Sequence, residues 1–188
     1  MEKLNKNELS RLTREYGGEW GINHTHRLLH LIEIIGENLE YDRELVWAAA
    51  HLHDWGAYPP WILKGVDHAQ RSGAVACEYL KNQGFSEAWI HKVILCIETH
   101  HQGEPNRPVE ALLISDADAL DFLGVVGVLR DFSKKPKSLR EAYETVQKRK
   151  ANLPGQLCLE KSRQIAARRI SEMENLLMLF EEESFGCF

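Results

Sequence analysis

The sequence is poor in cysteine, and its few cysteines are scattered. Four occur, none in a CxxC pair: Cys77, Cys96, Cys158 and Cys187. This spacing excludes an all-cysteine structural zinc site and is typical of buried thiols in a reducing compartment. The chain also contains no apolar run near the ~18 residues of a membrane span, and its opening stretch MEKLNKNELS lacks the apolar segment of a signal peptide. We therefore expect a cytosolic protein that does not contact a membrane.

The sequence also has fewer basic than acidic residues. The 23 basic residues are outnumbered by 28 acidic ones, which gives a net charge of −5. This balance gives no electrostatic support for binding nucleic acid, although a local basic pocket for a small anionic substrate remains compatible with it. The length of 188 residues predicts a single domain over residues 1–188.

Alternating strand patterns of useful length are absent, and helical periodicity occupies most of the chain. Apolar residues recur on one helix face from His24 to Leu39. Asp42 and Asp67 are the predicted N-caps of two later helices. We therefore predict an all-α helical bundle, in which a motif-bearing core of about residues 21–130 is covered by C-terminal helices within residues 137–183.

Histidine is abundant by comparison, with nine in the chain. Most lie in or beside a series that also contains two aspartates: His24, His53-Asp54, His68, His100-His101 and Asp118. Several of these positions fall at predicted helix ends, and helix ends that meet at one mouth of a bundle bring side chains together. Mixed imidazole and carboxylate ligands suit Fe, Mn, Co, Ni or Zn. The series therefore predicts a metal-dependent active site.

Three segments around this series resemble a known family. They are His24-Thr25-His26-Arg27-Leu28, residues 48–56 (AAAHLHDWG) and residues 116–121 (DADALD). They look like the H-x-x-R-V, A-A-x-L-H-D-I-G and D-A-D-x-L-D segments of the HD superfamily of metal-dependent phosphohydrolases, in the same order. The resemblance covers roughly Gly21 to Arg130 and implies the all-α HD fold.

The resemblance also implies a set of metal ligands. One ion would be held by His24, His53, Asp54 and Asp118. In some members two further histidines hold a second ion, and the aspartate of the His-Asp pair bridges both ions. His68 and His100 lie in segments similar to the H-x-x-x-G-A and A-I-x-x-H segments of those members. We therefore expect two divalent transition-metal ions, with one ion and two supporting histidines as the alternative.

Neighbouring residues leave this ligand set open at three points. His26 lies two residues after His24, His101 directly follows His100, and Asp116 lies two residues before Asp118. The family register favours His24, His100 and Asp118. Asp116 and Asp121 would then accept hydrogen bonds from histidine N–H groups or act as capping and ion-pairing residues.

The expected catalytic residue is Asp54, because a carboxylate beside the ions can orient or deprotonate the attacking water. Lys64, in the loop between two predicted ligands, and Arg27 are the candidate phosphate contacts. Ala57 stands where the members that degrade cyclic dinucleotides carry a lysine, and the acidic pair of the (p)ppGpp hydrolases is missing after Asp54. Neither of those activities is therefore predicted.

These features predict a phosphohydrolase that acts on a phosphoester or phosphoanhydride bond of a nucleotide or another small phosphorylated metabolite. Two alternatives remain. A di-iron oxygenase would use a similar ligand set to activate O₂. A non-catalytic binding module would use the metal only to stabilise its fold.

Overall fold

The structure is a computed structural model that describes residues 4–188. Over these residues the chain forms α-helices and two short 3-10 helices, with no strand, which confirms the all-α prediction. The α-helices are α1 (Lys6–Ile35), α2 (Arg43–Leu52), α3 (His68–Asn82), α4 (Glu87–Glu98), α5 (Val109–Asp121), α6 (Val125–Lys134), α7 (Leu139–Asn152) and α8 (Glu160–Glu183). The 3-10 helices are Trp55–Ala57 and Leu153–Gln156.

Side-chain caps fix where the helices near the predicted site begin. Asp42 accepts hydrogen bonds from the backbone N–H groups of Glu44 and Leu45, both at 3.0 Å, and so starts α2. Asp67 starts α3 in the same way, with acceptor distances of 3.0 and 3.2 Å. Both predicted caps are therefore confirmed. Because Asp67 caps α3, His68 is the first residue of that helix.

Helix α1 is longer than the periodicity predicted and ends earlier. It begins at Lys6 and bends at Gly18, whose φ of 61° and ψ of −165° lie outside the helical region. It ends at Ile35, where the N–H of Gly36 donates to the carbonyl of Ile32 at 2.8 Å. The predicted end at Leu39 was therefore wrong, whereas His24 lies in the early turns of the helical segment that follows the bend.

The core lies between α1, α2, α4 and α5, which pack against one another, while α3 packs on α4. The largest side chains with almost no exposure are Leu9, Ile22, Leu28, Leu45, Leu52, Trp55, Leu80, Ile97, Leu113, Ile114, Leu120 and Leu123. Full burial of one such side chain stabilises the fold by about 1.5–3 kcal/mol. The core thus fixes the helices whose ends carry the predicted ligands.

Trp55 belongs to this core. Its ring is 1% exposed, and its Nε1–H donates to Thr13 Oγ1 at 3.2 Å. The rings of Tyr16 and Tyr79 lie edge-on to it, with centroids at 5.1 and 5.3 Å. Trp55 is therefore a packing residue that anchors the segment directly after Asp54.

The C-terminal helices pack on the motif-bearing part of the chain. α8 contacts α5 and α6, and α7 contacts α6. The carboxylate of Asp116, on α5, accepts hydrogen bonds from the backbone N–H groups of Cys158 and Leu159 at 3.0 and 2.8 Å. This buried carboxylate ties the start of α8 to α5. Over residues 4–188, no helix combines the length and the apolar character that a membrane crossing needs.

Gly56 lets the turn after Asp54 approach α3 closely. Its N–H donates to Ser72 Oγ at 2.8 Å. A Cβ at this position would lie 2.4 Å from the backbone N of Ser72 and 2.6 Å from the carbonyl oxygen of His68. Backbone atoms cannot move aside as a flexible side chain can, so only glycine fits here.

We predict that Gly56→Ala lowers the free energy of unfolding by about 1–3 kcal/mol, because the added methyl group overpacks this contact. The measurement is urea unfolding followed by circular dichroism. Gly155→Ala is the matched control, since a Cβ there meets no heavy atom within 4 Å. Equal stability of the two variants would contradict the predicted contact.

Candidate metal centre

Different helices bring the predicted ligands to one place. His24 lies inside α1, and His53 is the C-cap of α2 with Asp54 directly after it. The remaining predicted ligands are His68 at the start of α3, His100 just after α4, and Asp118 inside α5. The structure therefore brings all six predicted ligands into one cluster.

The deepest part of the cluster consists of His24, His53 and Asp118, which are all almost fully buried. The Nε2 atom of His24 lies 3.1 Å from Asp118 Oδ1 and 3.3 Å from His53 Nε2. One nitrogen or oxygen atom from each of the three residues lies within 4.8 Å of the others. Such spacing suits ligands around a single ion.

Asp54 lies between this group and a second group of histidines. Its Oδ2 is 3.5 Å from His53 Nε2 and 3.8 Å from His24 Nε2. Its Oδ1 is 3.7 Å from His68 Nε2. Each carboxylate oxygen thus faces a different set of imidazoles, which is the arrangement that a bridging carboxylate requires.

The second group contains one histidine more than predicted. His68, His100 and His101 offer ring nitrogens within 4.8 Å of one another. His101 Nε2 lies 2.9 Å from His68 Nε2, and His101 Nδ1 lies 3.6 Å from Asp118 Oδ2. The sequence pattern favoured His100 over His101, whereas the structure places both at the cluster. The sequence signal for His101 was its position beside His100 at a predicted helix end. Within a helix, adjacent side chains point in different directions, but after the helix ends both can face the same cluster.

The ring orientations show that the site fits a metal. The Nδ1 atoms of His53 and His100 lie 2.9 and 2.5 Å from the carbonyl oxygens of Ala50 and Ile97. A carbonyl oxygen only accepts, so each Nδ1–H must donate, which leaves Nε2 free as a ligand atom. His100 Nε2 is buried and has no hydrogen-bond partner in the described chain. That orphaned lone pair is the feature a cation would satisfy.

The same contacts set the charge of the site. Burial opposes a charged imidazole, but hydrogen bonds to Asp118 and Asp121 raise the pKa of His24 to about 9. Burial would raise the pKa of Asp118, yet its contact with His24 lowers the pKa below its usual range. Burial lowers the pKa of His100. The buried carboxylates thus demand positive charge, which a divalent cation supplies when the histidines are neutral ligands.

Asp121 contacts one histidine of the cluster and two arginines. Its Oδ2 accepts from His24 Nδ1 at 2.7 Å. Arg27 donates to both carboxylate oxygens, at 2.6 and 3.0 Å, and Arg130 also donates to Oδ2. Asp121 therefore both orients a histidine and pairs with arginines, which the sequence had left as alternatives. Arg27 is held at this carboxylate, and its role as a phosphate contact stays a prediction.

The rival residues lie elsewhere. His26 is exposed, and Asp116 faces the backbone of Cys158 and Leu159 rather than the cluster. Of the ambiguous pairs, the structure therefore brings His24 and Asp118 to the cluster. Lys64 is exposed in the loop before α3, so its predicted contact with substrate also stays a prediction.

Comparison with known proteins agrees with this geometry. Residues 21–123, more than half of the chain, match the family model of the HD domain. The chain therefore belongs to the HD domain family, as its motifs predicted. A predicted HD superfamily hydrolase from an uncultured Thermotogales bacterium is 25% identical. Its crystal structure has a TM-score of 0.69 to this chain, and the match covers 94% of this chain and 91% of that one.

Two further similar proteins are described by a bound nucleotide or by an enzyme name. Bacillus subtilis YpgQ, solved in complex with ADP, is 21% identical with a TM-score of 0.73, and the match covers 95% of this chain and 94% of YpgQ. At this identity the likeness shows the shared fold. Ribonuclease Y of Desulforamulus reducens is 30% identical over 132 residues, which are 70% of this chain but only 22% of that protein.

We predict that His24→Ala removes bound metal and that His26→Ala does not. Only the first imidazole lies among the ligand atoms. The measurement is elemental analysis of each purified variant, expressed as ions per chain. Equal metal content in the two variants would contradict the choice of His24.

We also predict that Asp121→Asn weakens metal binding by roughly 10–100-fold, because a neutral amide orients and polarises His24 less well than a carboxylate does. The measurement is competition against a fluorescent chelator. Asp116→Asn is the control, since it changes a carboxylate on the same helix that contacts only backbone and serine groups around the start of α8. An unchanged dissociation constant for Asp121→Asn would refute the supporting role.

Proposed function

We propose that this protein is a metal-dependent phosphohydrolase that cleaves a phosphoester or phosphoanhydride bond of a nucleotide or another small phosphorylated metabolite. The observation that carries the proposal is the position of Asp54, with one oxygen toward His24 and His53 and the other toward His68. A carboxylate shared by two groups of imidazoles is suited to a pair of ions around one water and one phosphoryl group.

The ligand set consists of the six residues from the sequence pattern together with His101. They are His24, His53, Asp54, His68, His100, His101 and Asp118. Their imidazole and carboxylate groups suit two divalent transition-metal ions from the group Fe, Mn, Co, Ni and Zn. Such ions polarise a phosphoryl oxygen and lower the pKa of a coordinated water toward ~7.

The side chains of the protein supply orientation and proton transfer. Burial would raise the pKa of Asp54, but the nearby His53 and His24 lower it, so the carboxylate is ionised at neutral pH. Its side chain is 25% exposed, while those of His24 and His53 are at most 2% exposed. Asp54 therefore lies where the cluster meets solvent, in position to accept a hydrogen bond from the attacking water and then its proton.

The relatives support the class of reaction. The similar Thermotogales protein is a predicted HD superfamily hydrolase, and the name of Ribonuclease Y denotes cleavage of RNA, whose backbone is a phosphodiester. YpgQ was solved with ADP, a nucleotide that contains a phosphoanhydride. The net charge of −5 disfavours a long nucleic acid, so we propose a small phosphorylated substrate.

We predict that Asp54→Asn lowers kcat by at least ~100-fold with Mn²⁺ or Fe²⁺, because an amide is a weaker metal ligand than a carboxylate and cannot accept the proton of the water. The measurement is release of phosphate or pyrophosphate from a panel of nucleotides and phosphomonoesters, with an RNA oligonucleotide included. Asp42→Asn is the control, since asparagine also caps helices and residue 42 lies at the opposite end of α2 from His53.

Full activity of Asp54→Asn would refute the proposed role of that carboxylate. O₂ consumption by the iron-loaded protein, combined with inertness toward the whole phosphate panel, would favour the oxygenase instead. A metal-dependent melting temperature with neither activity would favour a binding module.

A further inference from the structure

Three basic side chains surround the ring of Phe122, the residue that directly follows α5. The guanidinium carbons of Arg149 and Arg130 lie 3.7 and 4.3 Å from the ring centroid, and the Nζ atom of Lys134 lies 5.4 Å from it. We call these three residues the basic cluster. They come from α6 and α7, beyond residues 21–123 that match the HD domain.

The basic cluster adjoins the candidate metal centre. The ring of Phe122 lies 6.0 Å, centroid to centroid, from the ring of His24. Arg149 also lines a cavity together with His100, His101 and Asp118. One cavity thus has metal-ligating groups on one part of its wall and a guanidinium group on another.

The cations in this region outnumber their carboxylate partners. Arg130 shares Asp121 with Arg27, and Arg149 Nε lies 3.3 Å from Asp131 Oδ2. Within residues 4–188, Lys134 Nζ has no carboxylate oxygen within the 4.0 Å that defines an ion pair. Three arginines therefore share two carboxylates, and Lys134 is exposed and accessible to a ligand.

Two donor groups of the cluster are also unsatisfied. Arg149 Nη1 and Arg130 Nε are buried and have no hydrogen-bond partner in the described chain. The side chain of Arg130 is only 8% exposed. A buried donor without a partner costs on the order of 1–3 kcal/mol, and more for a charged group. Burial and mutual repulsion also lower the pKa values of Arg130 and Lys134.

An anionic ligand would offset both costs at once. Phosphate is the anion that fits best, because its several oxygens accept from more than one guanidinium or ammonium group. A carboxylate offers fewer oxygens, and the region already holds two. The cations also lie beside the metal centre rather than within it, so they contact a group next to the one that reacts.

We propose that the basic cluster binds a second phosphoryl group of the substrate, so that the site selects compounds with at least two linked phosphates over monophosphates. This inference rests on the proposed function, because it takes the reacting phosphoryl group to lie at the metal centre. The neighbouring phosphoryl group then lies against Lys134 and Arg149. The HD core would supply the hydrolytic centre, and α6 and α7 would supply the selectivity for substrates with two linked phosphates.

The test compares two non-hydrolysable ligands by calorimetry on the metal-loaded protein. Methylenediphosphonate carries two phosphoryl groups and methylphosphonate carries one. We expect the natural protein to prefer the diphosphonate, and Lys134→Gln and Arg149→Gln each to reduce that preference about tenfold or more, the effect of one charge-assisted hydrogen bond. Comparing this ratio between each variant and the natural protein removes the contribution of the metal, including its stronger chelation by the diphosphonate.

Lys135→Gln is the matched control. It removes a lysine directly beside Lys134 whose ammonium is paired with Glu141 at 2.9 Å. We expect this variant to retain the natural preference. The melting temperature and metal content of every variant identify any loss of fold. Lys134 is solvent-accessible and outside any ion pair, so Lys134→Gln should change neither quantity.

An equal preference in Lys134→Gln, Lys135→Gln and the natural protein would overturn the proposal, as would equal affinity of the natural protein for the two ligands. The result is separable from the proposed function because binding needs no turnover. A diphosphonate preference that depends on Lys134, in a protein that hydrolyses nothing, would retain the subsite and reject the hydrolase.

Discussion

A buried carboxylate on α5 connects the candidate metal ligands to the helices around them. Asp121 is 2% exposed, accepts from His24, and pairs with Arg27 and Arg130. An unpaired ionised carboxylate at this depth would cost on the order of several kcal/mol. Its partners therefore compensate its burial, and the carboxylate in turn holds the ring of His24 with Nε2 toward the cluster. Because those partners belong to α1 and α6, one side chain fixes two helices relative to α5.

The site combines two opposite electrostatic environments at short range. Carboxylates and neutral imidazoles around Asp54 and Asp118 favour cations, whereas the basic cluster favours anions. Phe122 adjoins both, because its ring centroid lies 6.0 Å from that of His24 and 3.7 Å from the guanidinium carbon of Arg149. Cations interact favourably with an aromatic face, so the ring can hold the arginines close without pairing them to Asp54 or Asp118.

The sequence predicted those parts of the structure that depend on local chemistry. Asp42 and Asp67 cap helices as expected, because a carboxylate at such a position bonds the next backbone N–H groups whatever surrounds it. The six residues that the motifs predict as ligands also lie in one cluster, and their role as ligands stays a prediction. Apolar periodicity predicted the helical class but not the bend at Gly18, which depends on a single backbone conformation.

The features that the sequence did not reveal depend on tertiary contacts. His101 joins the cluster only because the chain leaves helical geometry after α4. Arg130, Lys134 and Arg149 are ordinary basic residues in the sequence, and they become a group only when α6 and α7 pack together around Phe122. The double role of Asp121 likewise requires α1, α5 and α6 to meet.

Helix α5 serves three different partners within a short stretch. Asp116 accepts hydrogen bonds from the backbone at the start of α8, Asp118 faces the clustered histidines, and Asp121 holds His24 and the arginines. An α-helix turns by about 100° per residue. A one-residue insertion before Asp116 would therefore swing all three carboxylates away from their partners together, and one between Asp116 and Asp118 would separate the C-terminal attachment from the site. Both the stability of the fold and the geometry of the site therefore depend on the rotational register of this one helix. Its length is much harder to change than that of the loops around it.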